Sequence, residues 1–455
     1  MANSLSTPLT EMLGCRLPVV QTAMGWIATP QLVAASSNAG GFGFLAGAVM
    51  QPKELAQEID KLKNITPHGF GVNFHSFQPG AKEIVDVILA NNERVRAVSF
   101  GRGPDAEMIN KFREAGIVCM PTVGLQKHAE KMVALGCQAI TIQGGEGGGH
   151  TGSVATTILL PQVLDAVSVP VIAAGGFADG RGLAAALAYG AAGIAMGTRF
   201  MMTSDSPVPQ GPKSAYTGAT TNDITVTTKV DGIPQRMIIN PMLKQIERSG
   251  ALSKWQRGLL AGLAMKKQTG ASWGDLIKTA RGMTAHGDMS LPEAMMAAAA
   301  PMLLQKAVVD GDAENGLMAT GLVAGRLDKI LNCKKLLEEI EKDGFALQKL
   351  TDNLLNWALM QRDVMPFHPT KVNLSEKAEE VALIFRNVAK DENIELVNAI
   401  SAGHTAFSDP NALLTILVNL IDNAIKYTTE GGRVKITAEE SSDGVQIRVT
   451  DTGVG

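Results

Sequence analysis

Eight short β-branched runs, each followed by an amphipathic stretch of helical period, fill residues 18–200. They are PVVQTAMG (18–25), GFGFLAG (41–47), GFGVNF (69–74), AVSFG (97–101), IVCMPTV (117–123), AITIQG (139–144), PVIAAGG (170–176) and GIAMGTRF (193–200). Runs this continuously apolar suit parallel strands covered on both faces. Eight of them at a spacing of about 25 residues predict an α/β fold of the (β/α)8 TIM-barrel type. A doubly wound sheet is the alternative. It needs a glycine-rich first turn, but the first run ends in QTAMG, and GFGFLAG spaces its glycines one residue too far for GxGxxG.

In a TIM barrel the strand C-termini build the active site, with a phosphate commonly held after strands seven and eight. Here those ends are Gly175–Gly176 and Gly197–Thr198, where bare N–H groups and a hydroxyl suit a phosphate. Other ends supply Met24, Asn73 and Gln143, and the two amides each offer a donor and an acceptor. A flat, polar-edged ligand with a phosphate is met by FMN more economically than by a sugar phosphate. Beyond the sixth run lies QGGEGGGHTG (143–152), a stretch too poor in side chains to pack a core. The expectation is that its glycines at 144–149 let a flavin ring and a substrate approach the backbone. His150 closes the loop where nothing apolar is available to bury it, and is the candidate catalytic residue. An imidazole can exchange a proton with substrate near neutral pH or donate to an oxyanion. Glu146 is the competing base.

The remaining composition narrows the partners. A net charge of −3 over 455 residues gives no bulk attraction to nucleic acid or to a membrane surface. Cys15, Cys119, Cys137 and Cys333 show no CxxC pairing, which fits reduced thiols in a cytoplasmic protein. No charged-then-apolar leader and no membrane-length apolar run is present in the sequence. Only Met360 and Met365 of the 21 methionines lie beyond Gly344, which marks a boundary there.

The segments PVVQTAMGWIATPQLVAASSNAGGFGFLAG, GVNF, QGGEGGGHTG and VIAAGGFADGRGLAAALAYGAAGIAMGTRF resemble the nitronate monooxygenase (2-nitropropane dioxygenase) superfamily. The likeness continues through GLVAGRLDKILNCKKLLEEI to about residue 343. It implies an FMN-binding barrel (1–200), a mainly helical cap or substrate domain inserted before the last helix (201–322), and that final helix (323–343). FMN contacts then fall on Met24, Asn73, Gln143, Gly148, Gly149, Gly175, Gly176, Gly197 and Thr198, and the motif histidine on His150. Ala23 stands where many nitronate monooxygenases have proline, GHTG lacks an arginine after the histidine, and no tyrosine lies between Tyr216 and Tyr427. The sequence looks more like the members that act on CoA thioesters in steroid-ring catabolism. The expected reaction is therefore hydride transfer between FMN and a CoA-linked or carbonyl-conjugated small molecule, with NAD(P)H as a candidate electron donor and a homo-oligomer as the expected assembly. Nitronate oxidation, enoyl-thioester reduction and a flavin-barrel redox sensor fused to a kinase are the alternatives. Eleven Lys/Arg against six Asp/Glu between Met201 and Met289 leave two readings of the cap, a solvated helical face or a lid drawing in an anionic substrate through Arg236, Lys266 and Lys267.

Beyond Gly344 the sequence changes character. Leu347, Leu350, Leu354 and Trp357 have the spacing of a bundle helix (344–366). Asn419, Asn423 and Lys426 share one helical face, and Leu413, Leu417, Leu420 and Ala424 the opposing apolar stripe. NLIDNAIKYT followed by DTGVG resembles the N box and first glycine box of a sensor histidine kinase ATPase domain (367–455). That likeness implies an incomplete α+β ATPase-type fragment. Its nucleotide contacts fall on Asn419, Asn423, Lys426, Asp451, Gly453 and Gly455, with Asn423 as the Mg ligand if ATP binds. The phosphoacceptor histidine and the later boxes are not found, so weak or absent ATP binding and no autophosphorylation are expected.

Overall fold

The computed structural model describes residues 5–76, 78, 80–101, 106–248, 291–361, 368–442 and 444–453, with backbone alone at 291–299 and 348–361. The chain forms two compact units divided between Leu350 and Thr351. That division falls inside the helix Cys333–Gln361, a few residues past the boundary at Gly344 suggested by composition.

All eight strand runs of the first unit are present. They form β1 (Val19–Gln21), β2 (Phe42–Leu45), β3 (Phe70–Asn73), β4 (Val95–Ser99), the split run β5 (Val118–Cys119) and β6 (Thr122–Val123), and β7 (Ile140–Gln143). A two-residue strand, β8 (Gly149–His150), precedes β9 (Val171–Ala174) and β10 (Gly193–Met196). The main sheet runs β5-β4-β3-β2-β1-β10-β9-β7-β6. Its two ends are halves of one sequence run, interrupted at Pro121, which has no N–H to give a ladder. The Pro121 carbonyl still accepts from Thr141 N at 2.9 Å and the Met120 N–H donates to Val98 O at 2.9 Å, so the sheet closes into a barrel.

Alternation sorts the side chains. Phe42, Phe44, Ala97, Met120, Ile172, Ala174 and Ala195 fill the interior, with Leu9 and Leu13 of the N-terminal helix Pro8–Leu13 in the same cluster. Leu45, Val72, Val98, Ile142, Ala173 and Ile194 pack outward against the surrounding helices. Gly71 is required by this filling, because a Cβ there would lie 2.8 Å from Phe44 Cζ and closer still to other ring atoms. The final helix completes the outer layer through Cys333, Leu336, Leu337 and Ile340.

Residues 201–322 contain a feature that helical periodicity did not indicate. β11 (Ile224–Thr227) and β12 (Gln235–Ile238) form an antiparallel hairpin, and β8 adds to its edge with Gln235 opposite His150 and Arg236 opposite Gly149.

The second unit holds β13 (Thr370–Asn373), the helix Leu374–Asp391, β14 (Glu395–Asn398), β15 (Thr405–Ser408), the helix Pro410–Tyr427, β16 (Arg433–Ser441) and β17 (Gly444–Asp451). β13 pairs with β15, while β14, β16 and β17 form a second sheet. Its core gathers Leu374, Val381, Leu417, Ile421, Val434 and Ile436. Asp409 caps the second helix by accepting from Asn411 N and Ala412 N.

Candidate active site at the barrel mouth

Met24, Asn73, Gln143, Gly175, Gly176, Gly197 and Thr198 lie at or just beyond the C-terminal ends of β1, β3, β7, β9 and β10. Asn73 uses its amide N–H groups on Ser99, reaching the carbonyl oxygen at 3.0 Å and Oγ at 3.1 Å. Gly175 and Gly176 have φ of 100° and 88°, values that L side chains rarely adopt. A Cβ on Gly197 would stand 3.5 Å from Met24 Sδ, and Thr198 Oγ1 accepts from Gly321 N at 2.8 Å while keeping its own proton to donate. Trp26, in the turn after Met24, has φ of 60°. Backbone strain at a barrel mouth is a signal that residue type alone did not carry.

The glycine loop differs from the open backbone expected of it. A Cβ on Gly144 would be 2.6 Å from Thr156 Cα, on Gly147 2.6 Å from the Gln143 amide nitrogen, and on Gly148 2.5 Å from Gly321 N. These glycines are needed for close packing against the protein itself, whereas Gly149 has open space where its Cβ would be. Gln143 Nε2 donates to His150 O at 2.8 Å, so its side chain holds the loop. Glu146 accepts from Thr156 N at 2.9 Å and from Thr156 Oγ1 at 2.7 Å, capping the helix Thr156–Ala166. A carboxylate so engaged is a cap and not a base. Glu146→Ala should therefore lower stability by about 0.5–2 kcal/mol in a denaturant titration and lower turnover by less than about tenfold.

His150 is met from the hairpin. Its Nε2 lies 2.6 Å from Asp231 Oδ2, with the imidazole 57% exposed and the carboxylate 13% exposed. Gln235 Nε2 also donates to Asp231 Oδ2, and Ile233 N donates to Asp231 Oδ1 at 3.1 Å. Burial pushes the Asp231 carboxyl up, but His150, the Ile233 N–H and the Gln235 amide together outweigh it and hold the group below the usual carboxylate range. Sequence reasoning missed Asp231 and Gln235. They lie 81 and 85 residues beyond His150, in a segment whose alternation, ITVT and QRMI, was the available signal.

The cations considered for an anionic substrate are placed differently. Arg236 donates from Nη2 to Gly145 O at 2.5 Å, clamping the loop. Lys266 and Lys267 lie outside the described residues.

In the second unit, Asn419, Asn423 and Lys426 sit on the exposed face of their helix. Asn419 Nδ2 donates to Thr415 O at 2.9 Å. Leu413, Leu417, Ile421, Ala424 and Ile425 form the buried arc, and Leu420 falls at its edge, 44% exposed, which departs from the predicted stripe. Asp451 Oδ1 accepts from Gly453 N at 2.9 Å, closing its own turn. Gly453 lies against Tyr427, whose carbonyl carbon would be 2.7 Å from an added Cβ, so the glycine box meets the end of the N-box helix. Gly455 is outside the described residues, as are the side chains of Leu350, Leu354 and Trp357. A cleft of about 490 Å³ lined by Glu379, Arg386, Lys390 and Glu395 includes none of the predicted nucleotide residues. Among the described residues there is no cluster of metal-ligating side chains, and no helix is long and apolar enough to cross a membrane.

The sequence model of the nitronate monooxygenase family matches residues 6–343, the first unit almost end to end. The chain belongs to that family. A curated relative from Rhodococcus jostii is 47% identical over 346 residues, covering 75% of this chain and 96% of its own length. It is named (3aS,4S,5R,7aS)-5-hydroxy-7a-methyl-1-oxo-octahydro-1H-indene-4-carboxyl-CoA dehydrogenase. A probable nitronate monooxygenase of Staphylococcus aureus is 32% identical over 285 residues, 53% of this chain and 80% of that protein. The solved structure of FabK from Thermotoga maritima superposes with a TM-score of 0.61 at 31% identity, covering 77% of this chain and 99% of that one. Residues 408–455 match the model of the histidine kinase-, DNA gyrase B- and HSP90-like ATPases, in keeping with a histidine kinase fragment. The chain is thus a nitronate monooxygenase-family oxidoreductase carrying a kinase-like segment.

Proposed function

We propose that the chain is an FMN-dependent dehydrogenase of a hydroxyl-bearing CoA thioester, with His150 as the group that takes the hydroxyl proton. The observation that carries this reading is the 2.6 Å contact between His150 and Asp231 on the loop beyond β7. A half-exposed imidazole backed by a carboxylate can accept a proton from a substrate and keep the resulting charge compensated. The name of the Rhodococcus relative supplies the substrate class, a hydroxyl-bearing carboxyl-CoA.

The residues present fit FMN. Gly175 and Gly176, with left-handed backbone, and the Thr198 hydroxyl offer donors where a phosphate would sit, and Gly149 has the open space a flat ring needs. Asn73, held by Ser99, keeps its carbonyl oxygen available for an N–H edge. When bound, FMN supplies a two-electron acceptor for hydride. Everything else falls to the chain: Gln143 and Arg236 fix the loop, and Asp231 fixes His150.

Tyr216 bears on the nitronate alternative. It is fully buried and donates to Ala319 O at 3.1 Å, and burial pushes its hydroxyl pKa up. It is a core anchor and not a pocket residue. Tyr216→Phe is expected to lower stability by about 0.5–1.5 kcal/mol with turnover unchanged, measured by denaturation and steady-state rates. The reading itself is tested by adding the relative's hydroxyl-bearing carboxyl-CoA anaerobically to the FMN-loaded protein. Bleaching of the flavin supports it, and bleaching by an alkyl nitronate alone contradicts it.

A further inference from the structure

We infer that Asp231 is a positioning residue that keeps the His150 ring proton on Nε2 and so makes Nδ1 the atom that exchanges a proton with substrate. The inference rests on the acid–base role proposed above for His150 and adds which nitrogen performs it and what enforces the choice.

The contacts around Nε2 favour one tautomer. Asp231 Oδ2 stands 2.6 Å from His150 Nε2, and Gln235 Nε2 donates to the same oxygen. Gln235 Nε2 and His150 Nε2 are 3.0 Å apart. Were Nε2 unprotonated, its lone pair would face a carboxylate lone pair at this distance, and the two acceptors would repel. With the proton on Nε2, two donors converge on one acceptor oxygen, and the approach of the two nitrogens follows without a third hydrogen bond. In the neutral imidazole Nδ1 then carries the lone pair.

The backbone holds the pair in register. His150 lies opposite Gln235 in the β8–β12 ladder, Thr151 N donates to Pro234 O at 3.0 Å, and Gln143 fixes the His150 carbonyl from the barrel side. The other charged side chains on the elements that hold the ring are turned elsewhere. Arg236 clamps Gly145 O, Glu146 caps the helix at Thr156, and Lys229 pairs with Glu247. Asp231 is the charged partner of the imidazole among the described residues. As His150 takes up a proton at Nδ1 it becomes an imidazolium, and Asp231 compensates that charge while remaining a carboxylate.

The same geometry predicts what Asp231→Asn would do. The Ile233 N–H donates to Oδ1 and would keep the oxygen of the new side-chain amide at that position. The amide nitrogen would then face His150 Nε2 as a donor. The ring would hold its proton on Nδ1, where it cannot accept another. Exchanging an orienting Asp for Asn in a Ser-His-Asp triad has this consequence at a loss of about 10⁴.

The test uses the full chain labelled with ¹⁵N-histidine, with His150→Gln assigning the signals by difference. Long-range proton–nitrogen spectra of the wild type should show the His150 proton on Nε2, and those of Asp231→Asn on Nδ1, in a readout that needs no turnover. With the hydroxyl-bearing carboxyl-CoA as substrate, Asp231→Asn should lower kcat by about 10²–10⁴ with FMN content and KM kept. Asp231→Ala should lose less, because nothing then enforces the wrong tautomer. A wild-type proton on Nδ1 with an inactive His150→Ala overturns this inference and leaves the proposed function standing. Full turnover by both Asp231→Asn and His150→Ala removes the acid–base role of His150, and this inference with it.

Discussion

Replacing His150 by alanine should lower turnover by about 10²–10⁴ while the protein retains its FMN. The separation follows from placement. His150 sits on β8 at the edge of the hairpin, its ring held by Asp231, whereas the candidate flavin contacts Gly175, Gly176 and Thr198 follow β9 and β10. Removing the imidazole takes away the proton acceptor and leaves those contacts in place. The measurement is steady-state turnover beside flavin released on denaturation. A variant that loses FMN along with activity would show His150 to be a cofactor ligand instead. A variant with wild-type turnover would remove it from the chemistry.

Gly144→Ala should be nearly as damaging by another route. Its Cβ would lie 2.6 Å from Thr156 N and Thr156 Cα, and closer to Thr156 Oγ1. That threonine is tied at once to Glu146 and to Gly175 O, the latter at 3.0 Å, so it cannot give way alone. The expected result is a stability loss of about 1–3 kcal/mol, with the loop and the Gly175 turn displaced together and FMN content reduced. A thermal melt with flavin quantification reads both. Unchanged melting and full FMN content would mean that the loop relaxes freely, and that its tight packing against Thr156 has no functional weight.

The barrel was legible because parallel strands covered on both faces leave a loud signal, short apolar runs recurring with helices between them. Even the break at Pro121 stayed within one run, where the missing N–H interrupts the ladder without opening the barrel. The strand-end residues were legible for the same reason, since position in the repeat assigns them to the mouth. The partners of His150 were not. Asp231 and Gln235 meet it across 81 and 85 residues through a hairpin of four-residue strands, too short for alternation to stand out beside helical cap segments. The glycines of 144–149 were seen, but not that Thr156, Gln143 and Gly321 occupy the space beside three of them. Composition cannot tell backbone left bare for a ligand from backbone left bare for a neighbour. In the second unit, Leu420 was placed one step too far round its helix, because a stripe of apolar spacing marks the buried face without marking its edge.

The most direct measurement is the absorbance spectrum of the purified full chain before and after anaerobic addition of the hydroxyl-bearing carboxyl-CoA. Bound oxidised flavin should bleach with the thioester in the wild type and far more slowly in His150→Ala. A chain that cannot be reconstituted with FMN, or one whose flavin the thioester leaves oxidised while an alkyl nitronate reduces it, would contradict the account.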